Sequence, residues 1–374
     1  MIPTLLPEII DEILRDNRLS RGDLKRCCLV KRAWLEPARK SLYDYLDIHA
    51  PRMSSEEYEG EEDEDEDEEL EGFYRLDQRT SRLLATLMWN DALGRLVNSI
   101  SIKTWDRWSA LPRGRKIWMG FDEVIANFSQ LCPELKELGT EHSSSSDRAA
   151  MIVSRWPYLE KLRLSVLTQD SWKDLPSHHD LKRLDIDDVQ FVPAQPPATA
   201  LRLSIVGLRL RYCSENDFAT IRPSISRVLR DLELPVDLVS VLRLSDFPRV
   251  TRLRLGPPYV DGSIQPNRFL EDLTSSRSLR TFEMDDEVRG ALTFSSRDLD
   301  WYLPRSCLRV NLYDCSSPAT VLSTIQRSKI SGHRISELGM KLSLRDREDE
   351  HSQLFLVAVK ALLEATGIEL IWID

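Results

Sequence analysis

The sequence predicts an α/β protein: a unit of three short N-terminal helices, then an irregular solenoid of strand-and-helix repeats with a parallel sheet on its concave face. Three observations carry that prediction. Helical apolar periodicity marks residues 1–48, an apolar-x-x-apolar-x-apolar pattern recurs through most of residues 81–374, and prolines stand at a fixed offset ahead of several copies. Between these regions, residues 49–80 read as an acidic disordered linker.

In the first region Pro7 suits the opening turn of a helix, where a missing N–H costs nothing. Ile9, Ile10, Ile13 and Leu14 then form an apolar stripe. Ser20 with Asp23 resembles a capping box ahead of Leu24, Cys27 and Cys28. A third segment carries Val30, Ala33 and Trp34, with Pro37 expected to break it before Ala38 and Leu42-Tyr43. Three helices this short hold too little core to stand alone.

The 374 residues carry a net charge of −10, but the acidity is local. Glu56 to Glu71 holds 13 acidic residues and no basic one; the other 48 acidic residues face 51 basic ones, a net of +3. A run of like charges so dense repels itself and stays solvated.

The repeat appears as Val97/Ile100/Ile102, Leu159/Leu162/Leu164, Leu181/Leu184/Ile186 and Ile205/Leu208/Leu210. It continues through Leu229/Leu232/Leu234, Val250/Leu253/Leu255, Leu279/Phe282/Met284 and Cys307/Val310/Leu312 to Ile335/Leu338/Met340 and Ile368/Ile371/Ile373, with Leu135/Leu138 a weaker copy. From Leu135 the starts lie 24, 22, 24, 24, 21, 29, 28, 28 and 33 residues apart. This is a leucine-rich-repeat signature, one short parallel strand per unit. Pro133, Pro157 and Pro248 each lie two residues ahead of a repeat's first apolar position, where they stop the preceding helix. Cys213 and Cys315 stand three residues after Leu210 and Leu312, the slot where such repeats favour Asn or Cys, so both thiols read as structural. The segments between strands show helical stripes, as in Phe121, Val124, Ile125 and Phe128, in Phe269, Leu270 and Leu273, and in Gln353 to Ala365, closed by Gly367.

LLPEIIDEIL followed by DLKRCCLVKRAWLEPARKSLYDYL resembles the F-box of the large fungal families of F-box proteins with degenerate leucine-rich repeats. RLLATLMWNDALGRLVNSISI resembles the segment opening their repeat domain. The resemblance implies a substrate receptor: an F-box (1–48) docked on the adaptor subunit of an SCF-type ubiquitin ligase and so on a cullin, and a repeat domain holding a target protein. The positions matching adaptor contacts are Leu6, Pro7, Ile10, Leu14, Leu24, Leu29, Val30 and Trp34. The charged connection Asp16 to Arg21, and Lys31 in place of a small residue, depart from the family pattern. A different class of function, an interaction scaffold whose F-box acts outside ubiquitination, fits the same residues.

Chemistry of other kinds finds no footing in the sequence. The six histidines are scattered, with no HExxH, GxSxG, Walker or GxGxxG motif, so neither enzyme activity nor a cofactor or metal is expected. His178-His179 reads as a solvated turn. No apolar run approaches the ~18 residues of a membrane span. Met1-Ile2-Pro3-Thr4 lacks the basic start of a signal peptide, so a cytoplasmic or nuclear location is expected. Trp105, Trp108 and Trp118 interleave with Lys103, Arg107, Arg113, Arg115 and Lys116, a composition that can grip single-stranded nucleic acid; a loop covering the solenoid end is the plainer reading.

The target face is expected where the residue between the last two apolar positions projects. That column reads Arg163, Asp185, Arg209, Glu233, Arg254, Glu283, alternating in sign at every step. Strands ~4.8 Å apart would make it a ladder of cross-strand ion pairs. Lys161, Arg183, Asp187, Arg211, Tyr212, Arg252 and Asp285 are expected alongside it in reading the target.

Overall fold

A computed structural model describes residues 10, 13–14, 19–30, 32–49, 73–75, 78–103, 118–140, 149–168, 172, 175, 180–190, 203–225, 227–258, 269, 273, 275–285, 307, 309–313, 336–341, 357–361, 363–365 and 367–372. The chain forms two compact units, Met1–Ser165 with Ser177–Leu181, and Val166–Pro176 with Lys182–Asp374. Among the described residues, no helix is long and apolar enough to cross a membrane. The acidic tract 56–71, Trp105, Trp108 and Cys315 lie outside the described residues.

In the first unit, helix α1 (Arg21–Val30) starts where the capping signal places it. The Asp23 N–H donates to Ser20 Oγ at 3.2 Å, and the Ser20 N–H donates to Asp23 Oδ2 at 3.1 Å, so each residue satisfies an orphan donor of the first turn. The Ser20 hydroxyl, donating to Asp23 Oδ2 at 2.6 Å, and then the Ser20 N–H hold the Asp23 carboxyl below its ordinary range. Helix α2 (Arg32–Tyr43) does not break at Pro37 as expected but runs through it. At the sixth helical position proline forfeits a single N–H bond. Trp34, Ala38 and Leu42, spaced by four, compensate by packing against the cluster of Ile10, Leu14 and Leu24.

Asp44 alone separates α2 from strand β1 (Tyr45–His49). The helical unit therefore ends earlier than 48, and the expected linker 49–80 is bounded by sheet residues. Strand β2 (Phe73–Arg75) and the start of helix α3 (Gln78–Trp89) also fall inside it. Strand β1 pairs in parallel with β3 (Ser99–Lys103), which pairs with β5 (Glu137–Thr140), which pairs with β6 (Lys161–Thr168). β2 pairs antiparallel with β4 (Trp118–Gly120). Helix α4 (Asp91–Gly94), α5 (Phe121–Leu131) and α6 (Ala149–Arg155) connect these strands. A Cβ on Gly94 would sit 1.8 Å from the Leu131 carbonyl oxygen, so only glycine permits this approach of backbone to backbone.

Register is set before each strand begins. The Asp44 carbonyl accepts from the N–H groups of both Asn98 and Ser99, Asn98 from Lys136 and Glu137, and Lys136 from Glu160 and Lys161. The second unit repeats the device: Lys182 accepts from Val206 and Gly207, Val206 from Arg230 and Asp231, Arg230 from Thr251 and Arg252, and Thr251 from Arg280 and Thr281. Its strands β7 (Arg183–Gln190), β8 (Gly207–Tyr212), β9 (Asp231–Pro235), β10 (Arg252–Gly256), β11 (Thr281–Asp285), β12 (Arg309–Tyr313), β13 (Glu337–Lys341) and β14 (Glu369–Trp372) pair in parallel in chain order. From β7 to β10 each strand coincides with one copy of the sequence repeat, its two apolar positions buried beneath it, as are Phe282 of β11 and Leu338 of β13. In β14 the expected copy Ile368/Ile371/Ile373 is one residue out of phase, for Leu370 and Trp372 stand in register with Leu338 and Met340 while Ile371 faces Gly339.

The prolines act as expected. Cys132, Trp156 and Phe247 are buried, and each carbonyl accepts the N–H three residues on, from Leu135, Leu159 and Val250. Proline thus occupies the second position of a tight turn, its preferred place. Burial pushes the Cys132 thiol up to about 12, consistent with a small apolar filler. Cys213, buried in the Asn/Cys slot, lends its thiol to the Ser214 carbonyl at 3.5 Å. Ser214 also caps helix α7 (Glu215–Ile221), accepting from the Asp217 N–H at 3.2 Å. Between β9 and β10 the connection is made of 3-10 turns, Val236–Ser240 and Leu244–Asp246, rather than an α-helix.

Candidate interaction surface

The charged column lies as the repeat predicts within the second unit. Asp185 is in register with Arg209, Arg209 with Glu233, Glu233 with Arg254 and Arg254 with Glu283. Arg163 belongs to the first unit, in register with Gly139. Lys161 there lies 3.5 Å from Glu137.

The pairing differs from a simple ladder. Arg209 Nε is 2.8 Å from Glu233 Oε1, though out of line for a hydrogen bond, and Arg254 approaches the same oxygen at 3.6 Å. Asp185, however, pairs with Arg183 on its own strand, at 2.9 Å. Glu283 pairs with Arg252 rather than Arg254, through two parallel bonds of 2.7 and 3.0 Å. Asp231, which sequence reasoning passed over, joins the two clusters. Its Oδ2 accepts from Arg183 Nη1 at 2.9 Å and lies 3.8 Å from Arg252 Nη1. Asp185, Arg183, Asp231, Arg252 and Glu283 therefore form one chain of ion pairs from β7 to β11.

Gly207 leaves room for that chain. Arg183 must cross β8 to reach Asp231 on β9, and a Cβ at position 207 would lie 3.3 Å from Arg183 Cγ. Asp231 and Gly207 occupy the same strand position as Arg183 and Arg252, so extending the column analysis by one residue would have found them.

Burial opposes charge on Arg183, but Asp185 and then Asp231 outweigh it and hold the guanidinium above its ordinary range. Arg209 goes the other way: burial, aided by Arg211 and Arg254, lowers it against the pull of Glu233. Arg211 reaches Asp187 at 3.2 Å, and Tyr212 beside it is half exposed. The Asp285 side chain lies outside the described residues. Arg309 and Glu337 form a further pair at 3.7 Å. Among the described residues, no group of three His, Cys, Asp or Glu side chains is placed to hold a metal ion.

The expected adaptor contacts divide sharply. Ile10, Leu14 and Leu24 are buried together with Ala38 in the core cluster of the helical unit. Trp34 is half-buried against them. Leu29 is 87% exposed. Leu6, Pro7 and the Val30 side chain lie outside the described residues.

No protein-family model matches the chain, and no curated protein matches it. Among solved structures it is similar to the leucine-rich repeat-containing protein LegL7 from Legionella pneumophila, at 14% identity and a TM-score of 0.44, over 77% of this chain and 87% of that one. The strand-per-repeat architecture stands on the register and buried leucines of this chain alone.

Proposed function

We propose that the chain is a protein-recognition module without catalytic residues, acting in the cytoplasm or nucleus as the substrate receptor of an SCF-type ubiquitin ligase. The helical unit would dock on the adaptor subunit and through it the cullin, and the charged sheet face would hold the target. The observation that carries the recognition half is the continuous ion-paired face over β7 to β11, built in register from half-exposed arginines on a rigid sheet. Surfaces of this kind, with side chains fixed before binding, lose little freedom on association. The docking half is supported by the F-box-like sequence and by Leu29, a large apolar side chain left in water on α1.

The test uses Leu29→Glu, a surface change that spares the buried cluster. Tagged full-length protein should co-purify with the adaptor and cullin, and the variant should lose both by more than about tenfold while keeping its melting temperature. A desolvated apolar anchor contributes on the order of 2 kcal/mol to such an interface. A variant that melts normally and still brings down adaptor and cullin would leave the interaction scaffold, with its helical unit serving outside ubiquitination, as the better reading.

A further inference from the structure

In each ion pair made by residues of the strands β7 to β11 the arginine is the more exposed partner. Arg183 is 32% exposed over Asp185 at 8%, and Arg211 is 42% over Asp187 at 21%. Arg209 at 25% and Arg254 at 28% lie over Glu233 at 13%. Arg252 is 44% exposed, against 1% for Glu283 and 26% for Asp231. The order reverses at the Arg309–Glu337 pair, where Glu337 at 37% exceeds Arg309 at 30%. Carboxylates form a lower layer and guanidinium groups an upper one.

Two consequences bear on what this face can bind. The paired groups sum to zero, five arginines over five carboxylates, so the platform exerts no long-range pull on a nucleic acid or an acidic peptide. Two of the arginines have their in-plane donors committed: Arg252 uses Nε and Nη2 on Glu283 with Nη1 toward Asp231, and Arg183 uses Nε on Asp185 and Nη1 on Asp231, while Arg211 is steered by Asp187 at 3.2 Å from Nε. A guanidinium held by its edges retains its flat faces for contact, and those faces stack on aromatic rings, where a lysine ammonium does not stack.

We propose that this platform takes a target segment through aromatic side chains stacked on its arginines, with Arg252 and Arg211, the two most exposed, as the principal seats. The inference rests on the sheet face being the recognition surface and names the chemistry it reads.

The test is a titration of the full-length protein with three blocked peptides, GSWGSWGS and its counterparts with Leu or Glu at both Trp positions. It is followed through the arginine Nε–Hε resonances, assigned with Arg252→Lys and Arg211→Lys. Only the Trp peptide should shift these resonances, and each lysine variant should weaken it about threefold while keeping the folded-state spectrum of the parent, Arg252→Lys at some cost in melting temperature. Equal binding of the Leu peptide, stronger binding of the Glu peptide, or undiminished binding by both lysine variants would overturn the aromatic preference and leave a recognition surface of other chemistry. If no peptide moved a platform resonance the inference would also fall, whereas the receptor reading is decided separately by adaptor co-purification.

Discussion

At the scale of single residues, the sequence locates the charged positions and misjudges their depth. Column spacing identifies Asp185, Arg209, Glu233, Arg254 and Glu283, because in a strand every second side chain shares a face. It does not reveal that carboxylates end low and arginines high, since that follows from side-chain length and from which edge of each guanidinium is occupied. Glu283, at 1% exposure, is therefore no surface ion pair. Removing Arg252 takes two charge-assisted hydrogen bonds from a buried carboxylate, and Arg252→Ala should cost about 2–3 kcal/mol in urea unfolding. Replacing Arg211, 42% exposed over an Asp187 at 21%, should cost under about 1 kcal/mol. Equal effects at the two sites would show that Glu283 is solvated in the folded protein.

At the scale of elements, local chemistry was legible wherever one residue dictates backbone geometry. Ser20 with Asp23 announces α1, and each of Pro133, Pro157 and Pro248 announces a turn into a strand. The interior Pro37 misleads, because α2 keeps its course when the packing of Trp34, Ala38 and Leu42 outweighs one lost hydrogen bond. Ser214 was legible only through its neighbour, Cys213 in the Asn/Cys slot, yet it caps α7 by the same rule as Ser20. Ser214→Ala should destabilise the protein by about 1 kcal/mol, while Ser214→Asp, also a capping residue, should recover most of it. Thermal unfolding of both variants against the parent checks the pair.

At the scale of the whole chain, the repeats from Leu135 onward could be read directly because their spacing stays between 21 and 33 residues. The first rung could not. Leu46 and Ile48 of β1 are in register with Ile100 and Ile102 of β3, 54 residues away, and the acidic insertion between them hides the period. YLDIH consequently reads as the tail of the helical unit. A fragment beginning at residue 81, which sequence reasoning would offer as a complete repeat domain, lacks β1 and bares the edge of Ser99–Lys103. It should melt several degrees below the full chain and self-associate in size-exclusion chromatography, and a monomeric fragment with parental stability would disprove the contribution of β1.

The junction at Asp44 has a mechanical side. Its backbone carbonyl is doubly engaged by Asn98 and Ser99, its carboxylate receives Asn98 Nδ2 at 2.6 Å, and Arg21 of α1 grips the Tyr45 carbonyl at 2.7 Å. The helices are thus a cantilever clamped at its root, with no pivot between them and the first rung. Whatever grips the helices therefore also sets the attitude of that rung.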